Sequence, residues 1–180
     1  MGRGEVNNLK FRPYTGNRDG PATGKREGMN EFIRQILFWC PMLWDNGSWG
    51  IRDQRSHPGV LSVHATGRAD DAAYSHYRIW KNLILRRLDE TNRHRVTRKF
   101  INKLTTNANV FEIELILDYF PKPYGAGWRC DRQSWTRYTQ KTVSGAPGGM
   151  WYHIEITPAM ADNPEAVRAA FLKVFGPRPA

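Results

Sequence analysis

The two most apolar stretches of this chain are written in different periods, and that contrast limits the fold more than any other feature. Phe32, Ile33, Ile36 and Leu37 recur at three-to-four spacing, which predicts a helix over Asn30–Cys40. Pro41, which has no N–H to donate, ends it. Phe111–Phe120 alternates instead, with Ile113, Leu115 and Leu117 on one face and Glu112, Glu114 and Ile116 on the other. That is the pattern of a strand, and Pro121 closes it. A chain that must bury both a helical stripe and a strand face is neither all-α nor all-β.

The remaining segments fill in around these two. Asp45-Asn46-Gly47 and His57-Pro58-Gly59 are turn signals, so short strands are expected near Ser48–Arg52, Val60–Val63 and Arg68–Ala72. Tyr77 to about Leu104 reads as helical, broken near Glu90–Asn92. One apolar stripe is Ile79, Leu83, Ile84 and Leu88, and the next is Val96, Phe100, Ile101 and Leu104. Residues 121–149, rich in Gly, Pro, Arg and Trp, read as an irregular region bordering a site. Met150–Thr157 reads as a last strand and Pro164–Val174 as a terminal helix with proline in its first turn. This mixed order predicts an α+β domain with a central antiparallel sheet and flanking helices. At 180 residues and 40% hydrophobic, one core is expected, over 28–180. Residues 1–27 read as a flexible basic arm and about 77–105 as a basic helical insertion.

Charge narrows the partners. The net charge of +10 favours polyanions: nucleic acid, a membrane surface or an anionic cell-wall polymer. No membrane span is expected, because Arg34, Asp45, Glu112 and Glu114 interrupt the apolar runs. The first residues have no apolar h-region, so no secretory signal is expected and the chain is expected in the cytoplasm of the producing cell. Cys40 and Cys130 set no disulfide framework and cannot make a four-cysteine zinc site. Nine Lys or Arg between positions 78 and 103 make nucleic-acid binding an alternative, against the plainer reading of a solvated face.

The chemistry-bearing run is Ser62-Val63-His64-Ala65-Thr66-Gly67-Arg68-Ala69-Asp70-Asp71. On a straight strand His64 and Asp71 would lie about 23 Å apart, so they meet at one ion only if the chain doubles back. Gly67 allows the bend and Ala69 allows the two arms to pack closely. Imidazole and carboxylate are a normal pair of zinc ligands, and a third must come from elsewhere. Trp151-Tyr152-His153-Ile154-Glu155-Ile156 offers His153, on one strand face with Trp151 and Glu155. His64, Asp71 and His153 would leave a fourth position open, as catalytic zinc sites do.

Ser-x-His-x-x-Gly-x-Ala-x-Asp followed by a Trp-rich strand carrying His-x-Glu resembles the D-alanyl-D-alanine carboxypeptidase family of zinc peptidoglycan peptidases. That family includes phage endolysins and shares its fold with the hedgehog signalling domain and lysostaphin-type peptidases. The resemblance covers about Trp44 to Thr157 and includes Trp49-Gly50-Ile51-Arg52 and Ile116-Leu117-Asp118-Tyr119. It implies zinc on His64, Asp71 and His153, hydrolysis of stem-peptide amide bonds, and release to the cell wall or packaging in a virion. It also implies a substrate cleft to which Arg52, Arg55, Ser62 and Trp151 are the candidate contributors.

One position departs from the pattern. The family commonly places an acid three residues before the second zinc histidine, where it moves the proton between water and leaving amine. Here that residue is Met150. Either Glu155 serves, or Asp70 or Asp131 reaches in from another element, or the fold persists without hydrolysis as a binding or virion structural protein. Trp128, Trp135 and Tyr138 either stack on a ligand or pack under the loop that holds them.

Overall fold

The computed structural model describes residues 11–54, 57–74, 89–141 and 148–179. Its elements are, in order, α1 (Glu27–Trp39), β1 (Trp44–Asp45), β2 (Asp53–Gln54), β3 (His57–Leu61), a 3-10 turn (Val63–Thr66) and β4 (Ala69–Ala73). Then come α2 (Glu90–Thr106), β5 (Ile113–Asp118), β6 (Ala126–Arg129), β7 (Ser134–Arg137), β8 (Trp151–Ile156), α3 (Pro158–Asp162) and α4 (Pro164–Phe175). Six strands form one sheet in the order β1-β4-β8-β5-β6-β7, every neighbouring pair antiparallel, and β2 and β3 form a separate hairpin. The fold is α+β, with a single compact domain. No helix among the described residues is long and apolar enough to cross a membrane.

The sheet has a helical face and an open one. On the helical face, Ile113, Ile116, Tyr152, Ile154 and Ile156 pack with Phe32 and Ile36 of α1 and Phe171 of α4 in one buried core. On the open face, Leu115, Leu117 and Tyr119 form a smaller cluster that Tyr14, Tyr138 and Trp151 partly cover. The alternation of β8 therefore sends Tyr152, Ile154 and Ile156 to the core and leaves His153 and Glu155 on the open face.

Five expectations need correction. Ile113 does not share a face with Leu115 and Leu117, because the β5–β8 register shifts between Ile113 and Leu115 and Ile113 joins the core. Such a bulge adds one residue and reverses the facing of everything before it. Residues 121–149 are not wholly irregular: β6 and β7 form a hairpin at the sheet edge. In α2, Val96 is 40% exposed, and the buried positions are Arg93, Thr97, Ile101 and Leu104. The segment before α1 is no loose arm over 11–26. Arg12 donates to the carbonyls of Ala108 and Ile113, the Thr15 N–H to Glu114 and the Ala22 N–H to the Ala65 carbonyl. Arg68, wholly buried, pairs with Asp19 at 3.0 Å and Glu114 at 3.1 Å, which ties that segment to the sheet. The expected strand Ser48–Arg52 is also absent, the pairing residues being Asp53 and Gln54. The helix expected over 77–88, residues 1–10 and Arg55 lie outside the described residues.

Candidate metal centre

The reversal demanded by the His64–Asp71 spacing is built from local bonds. Ser62 Oγ accepts from the His64 N–H at 3.3 Å and caps the 3-10 turn. Gly67 then takes φ 72°, in the left-handed region where a side chain is strained, and feeds the chain into β4. Asp71 sits directly opposite His153 in the β4–β8 ladder. The result is His64 Nε2 at 3.3 Å and His153 Nδ1 at 3.1 Å from the same oxygen, Asp71 Oδ1. The three ligand atoms lie within 4.8 Å of one another, with both histidines buried and Asp71 half-buried.

These separations fit an ion. Zinc bonds of about 2.0–2.1 Å in a tetrahedron put neighbouring ligand atoms about 3.3–3.4 Å apart, close to the two distances found. The group His64, Asp71 and His153 can hold a metal ion. Without one, protons link the same atoms. Burial opposes the charged form of His153, but bonds to Asp71 and Glu155 push its pKa up to about 10. Burial also opposes ionisation of Asp71, yet the hydrogen bonds from His153 and His64 outweigh it and hold the carboxyl below the usual range. His64 is displaced the other way: burial lowers its pKa, the Asp71 bond resists, and the neighbouring His153 adds to the lowering. The surroundings thus favour the charged forms of Asp71 and His153 and the neutral form of His64.

Glu155 stands behind the centre. His153 Nε2–H donates to Glu155 Oε1 at 2.8 Å, and Tyr14 Oη donates to Glu155 Oε2 at 2.8 Å. Burial first and Glu155 second raise the Tyr14 pKa, so the phenol keeps its proton and stays a donor. A carboxylate that takes the outer N–H of a ligating histidine fixes which ring nitrogen faces the metal. With one oxygen on His153 and the other on Tyr14, Glu155 is placed to orient His153, and service as acid–base would require one of those bonds to open. Tyr14 was invisible to sequence reasoning: with Phe11 it is one of two aromatics in a polar, basic segment with no periodicity.

The other proposed acids are also elsewhere. Asp70 points to the opposite face of β4 and is fully buried; desolvation first, then Asp45, pushes its pKa up. Asp131 pairs with Arg129 through both oxygens in the β6–β7 turn. Met150 packs against the core. Instead Asp53, at the start of β2, lines the small cleft of about 50 Å³ over the centre, together with Arg52, Ser62, Tyr119 and Trp151. Apart from Asp71 it is the one carboxylate lining that cleft among the described residues. Three of the four expected substrate contacts, Arg52, Ser62 and Trp151, are thus at the cleft; Trp151 rests its ring against Tyr119, centroids 4.9 Å apart. Trp128 is core, Trp135 packs beneath Arg98 at 3.6 Å, and Tyr138 reaches the open face.

Comparison with protein-family models, curated proteins and solved structures finds no match.

Proposed function

We propose that this chain is a zinc-dependent hydrolase that cuts an amide bond in peptidoglycan stem peptides. The observation that carries the reading is Asp71 Oδ1 lying between His64 Nε2 and His153 Nδ1, with Glu155 fixing His153 from behind. Two imidazoles and one carboxylate suit zinc and leave coordination positions for water and substrate. Zinc held there would supply Lewis-acid polarisation of a carbonyl and activation of water near neutral pH. The chain's own residues do the rest. Ser62 and Gly67 set His64, Glu155 and Tyr14 set His153, and Arg52 at the cleft suits a substrate carboxylate. Asp53 is the candidate to move the proton between water and leaving amine, the task left vacant by Met150.

The test is metal content measured beside activity. Purified protein is expected to carry about one zinc per chain and to clear suspensions of purified cell walls. His64→Ala is expected to lose both. A chain that binds zinc yet leaves walls intact would be a binding protein on the same fold, the reading Met150 favours. The nucleic-acid alternative draws less support from α2 than its charge count implies. Arg93 is buried, Arg98 bonds Asp118 and covers Trp135, and Lys103 lies over Phe175 at 4.4 Å. Of the basic residues described on that helix, Arg95, Lys99 and Lys103 are exposed, the last with its ammonium over a ring.

A further inference from the structure

Beyond the metal cleft the open face of the sheet holds a second, larger hollow of about 340 Å³. That size is within the range of small-molecule sites, about 300–1,000 Å³. The two spaces adjoin, because Gln54, Ser62 and His153 line both. The floor of the groove is aliphatic, from Leu115 and Leu117 of β5 with Val63 of the 3-10 turn. Its far wall is basic: Arg129, Arg132 and Tyr138 come from the β6–β7 edge. Two guanidiniums there face one carboxylate. Arg129 takes both oxygens of Asp131, while Arg132 donates to the backbone carbonyls of Ser134 and Gly127, which neutralise no charge. Glu155 also borders the groove, but its oxygens are bonded to His153 and Tyr14. The wall is left with a net positive charge above an apolar floor.

Room for the groove depends on a missing side chain. A Cβ at Gly127 would lie 2.1 Å from Tyr138 Oη and 3.0 Å from Leu117 Cδ2. Glycine on β6 therefore lets the phenol of Tyr138 lie down on the strand as the groove's side. A hollow with aliphatic floor, phenolic side and one surplus guanidinium does not suit a sugar face or a polyphosphate. It suits an extended chain that carries an alkyl group and, a few bonds away, a carboxylate.

We infer that this groove seats one arm of an acidic peptide, its alkyl group on Leu115 and Leu117 and its carboxylate at Arg132, with the adjoining amide carried to the metal centre. The inference rests on the peptidase reading for its ligand class. The probes are the stem peptide L-Ala-γ-D-Glu-L-Lys-D-Ala and the same peptide with the free α-carboxylate of its glutamate amidated. Calorimetry on the purified chain, with zinc and after chelation, is expected to show the acid bound about fivefold more tightly than the amide. Arg132→Gln should bring that ratio to about one with zinc content unchanged, and Arg132→Lys, which keeps the charge, should retain part of the preference. Equal affinities in the unaltered chain, no binding of the acidic peptide at millimolar concentration, or a preference that survives Arg132→Gln would each overturn the inference. The two readings fail separately. A chain that clears walls but ignores the carboxylate loses the groove and keeps the hydrolase, whereas one that prefers the acid but leaves walls intact does the reverse.

Discussion

Two carboxylates near the metal group differ in what surrounds them, and the difference assigns them different work. Glu155 is 2% exposed with a histidine N–H on one oxygen and a phenol on the other. Asp53 is exposed on the hairpin, with Oδ2 accepting the Gly59 N–H at 2.8 Å. If Glu155 orients His153, Glu155→Gln should weaken zinc binding about tenfold to a hundredfold, read by competition with a chelating dye. If Asp53 moves the proton, Asp53→Asn should leave zinc affinity within about twofold and cut wall hydrolysis about a hundredfold. Reversal of the two patterns would exchange the roles, and it would return Glu155 to the acid–base task. Tyr14→Phe removes only the phenol's bond to Glu155 and should lower zinc affinity less than Glu155→Gln does.

Among the elements, those with unbroken periodicity were legible in the sequence. α1, β8 and α4 each carry apolar residues at one constant period, β5 is an apolar run closed by a proline, and each stands within a few residues of its expected bounds. The bulge before Leu115 was not legible. Glu114 sits where alternation demands an ordinary strand residue, yet its carboxylate is bonded to Arg68 and to the Thr15 N–H, contacts made by segments far away in the chain. β6 and β7 escaped notice because four residues such as Ala-Gly-Trp-Arg show no period, and the hairpin is recognised only against β5. The metal group was legible for the opposite reason: His64, Gly67 and Asp71 are close in sequence and their spacing has one economical geometry. The turn that delivers it can be tested alone. Gly67→Ala puts a side chain at φ 72°, with its Cβ 3.0 Å from Arg26 Cγ. The expected cost is about 1–2 kcal/mol, or a fall in Tm of about 2–8 °C. Zinc affinity should fall with it, because His64 and Asp71 flank the turn. An unchanged Tm would mean that Gly67 is not what holds the reversal.

At the scale of the whole molecule, the helical face has an ordinary apolar core, while the open face is held by buried charge. Arg68 is wholly buried and bonds Asp19, Glu114 and the carbonyls of Gly16 and Ile156. It joins the segment before α1 to the ends of β5 and β8, and that same segment brings Tyr14 to Glu155 behind the metal group. Stability and the placing of the His64–Asp71–His153 group are therefore expected to be coupled through one guanidinium. Arg68→Met keeps the volume but strands Glu114, 1% exposed, without its cation. Breaking one partner out of a buried pair costs about 3–5 kcal/mol, mostly from the charge left behind. The double variant Arg68→Met with Glu114→Gln removes that charge and should recover a large part of the loss, measured by urea unfolding. If the segment does brace the centre, zinc affinity should fall in both variants, because Tyr14 loses its anchor in each. Full recovery of zinc binding alongside stability in the double variant would show that Arg68 supports the fold alone and that Tyr14 is placed by something else.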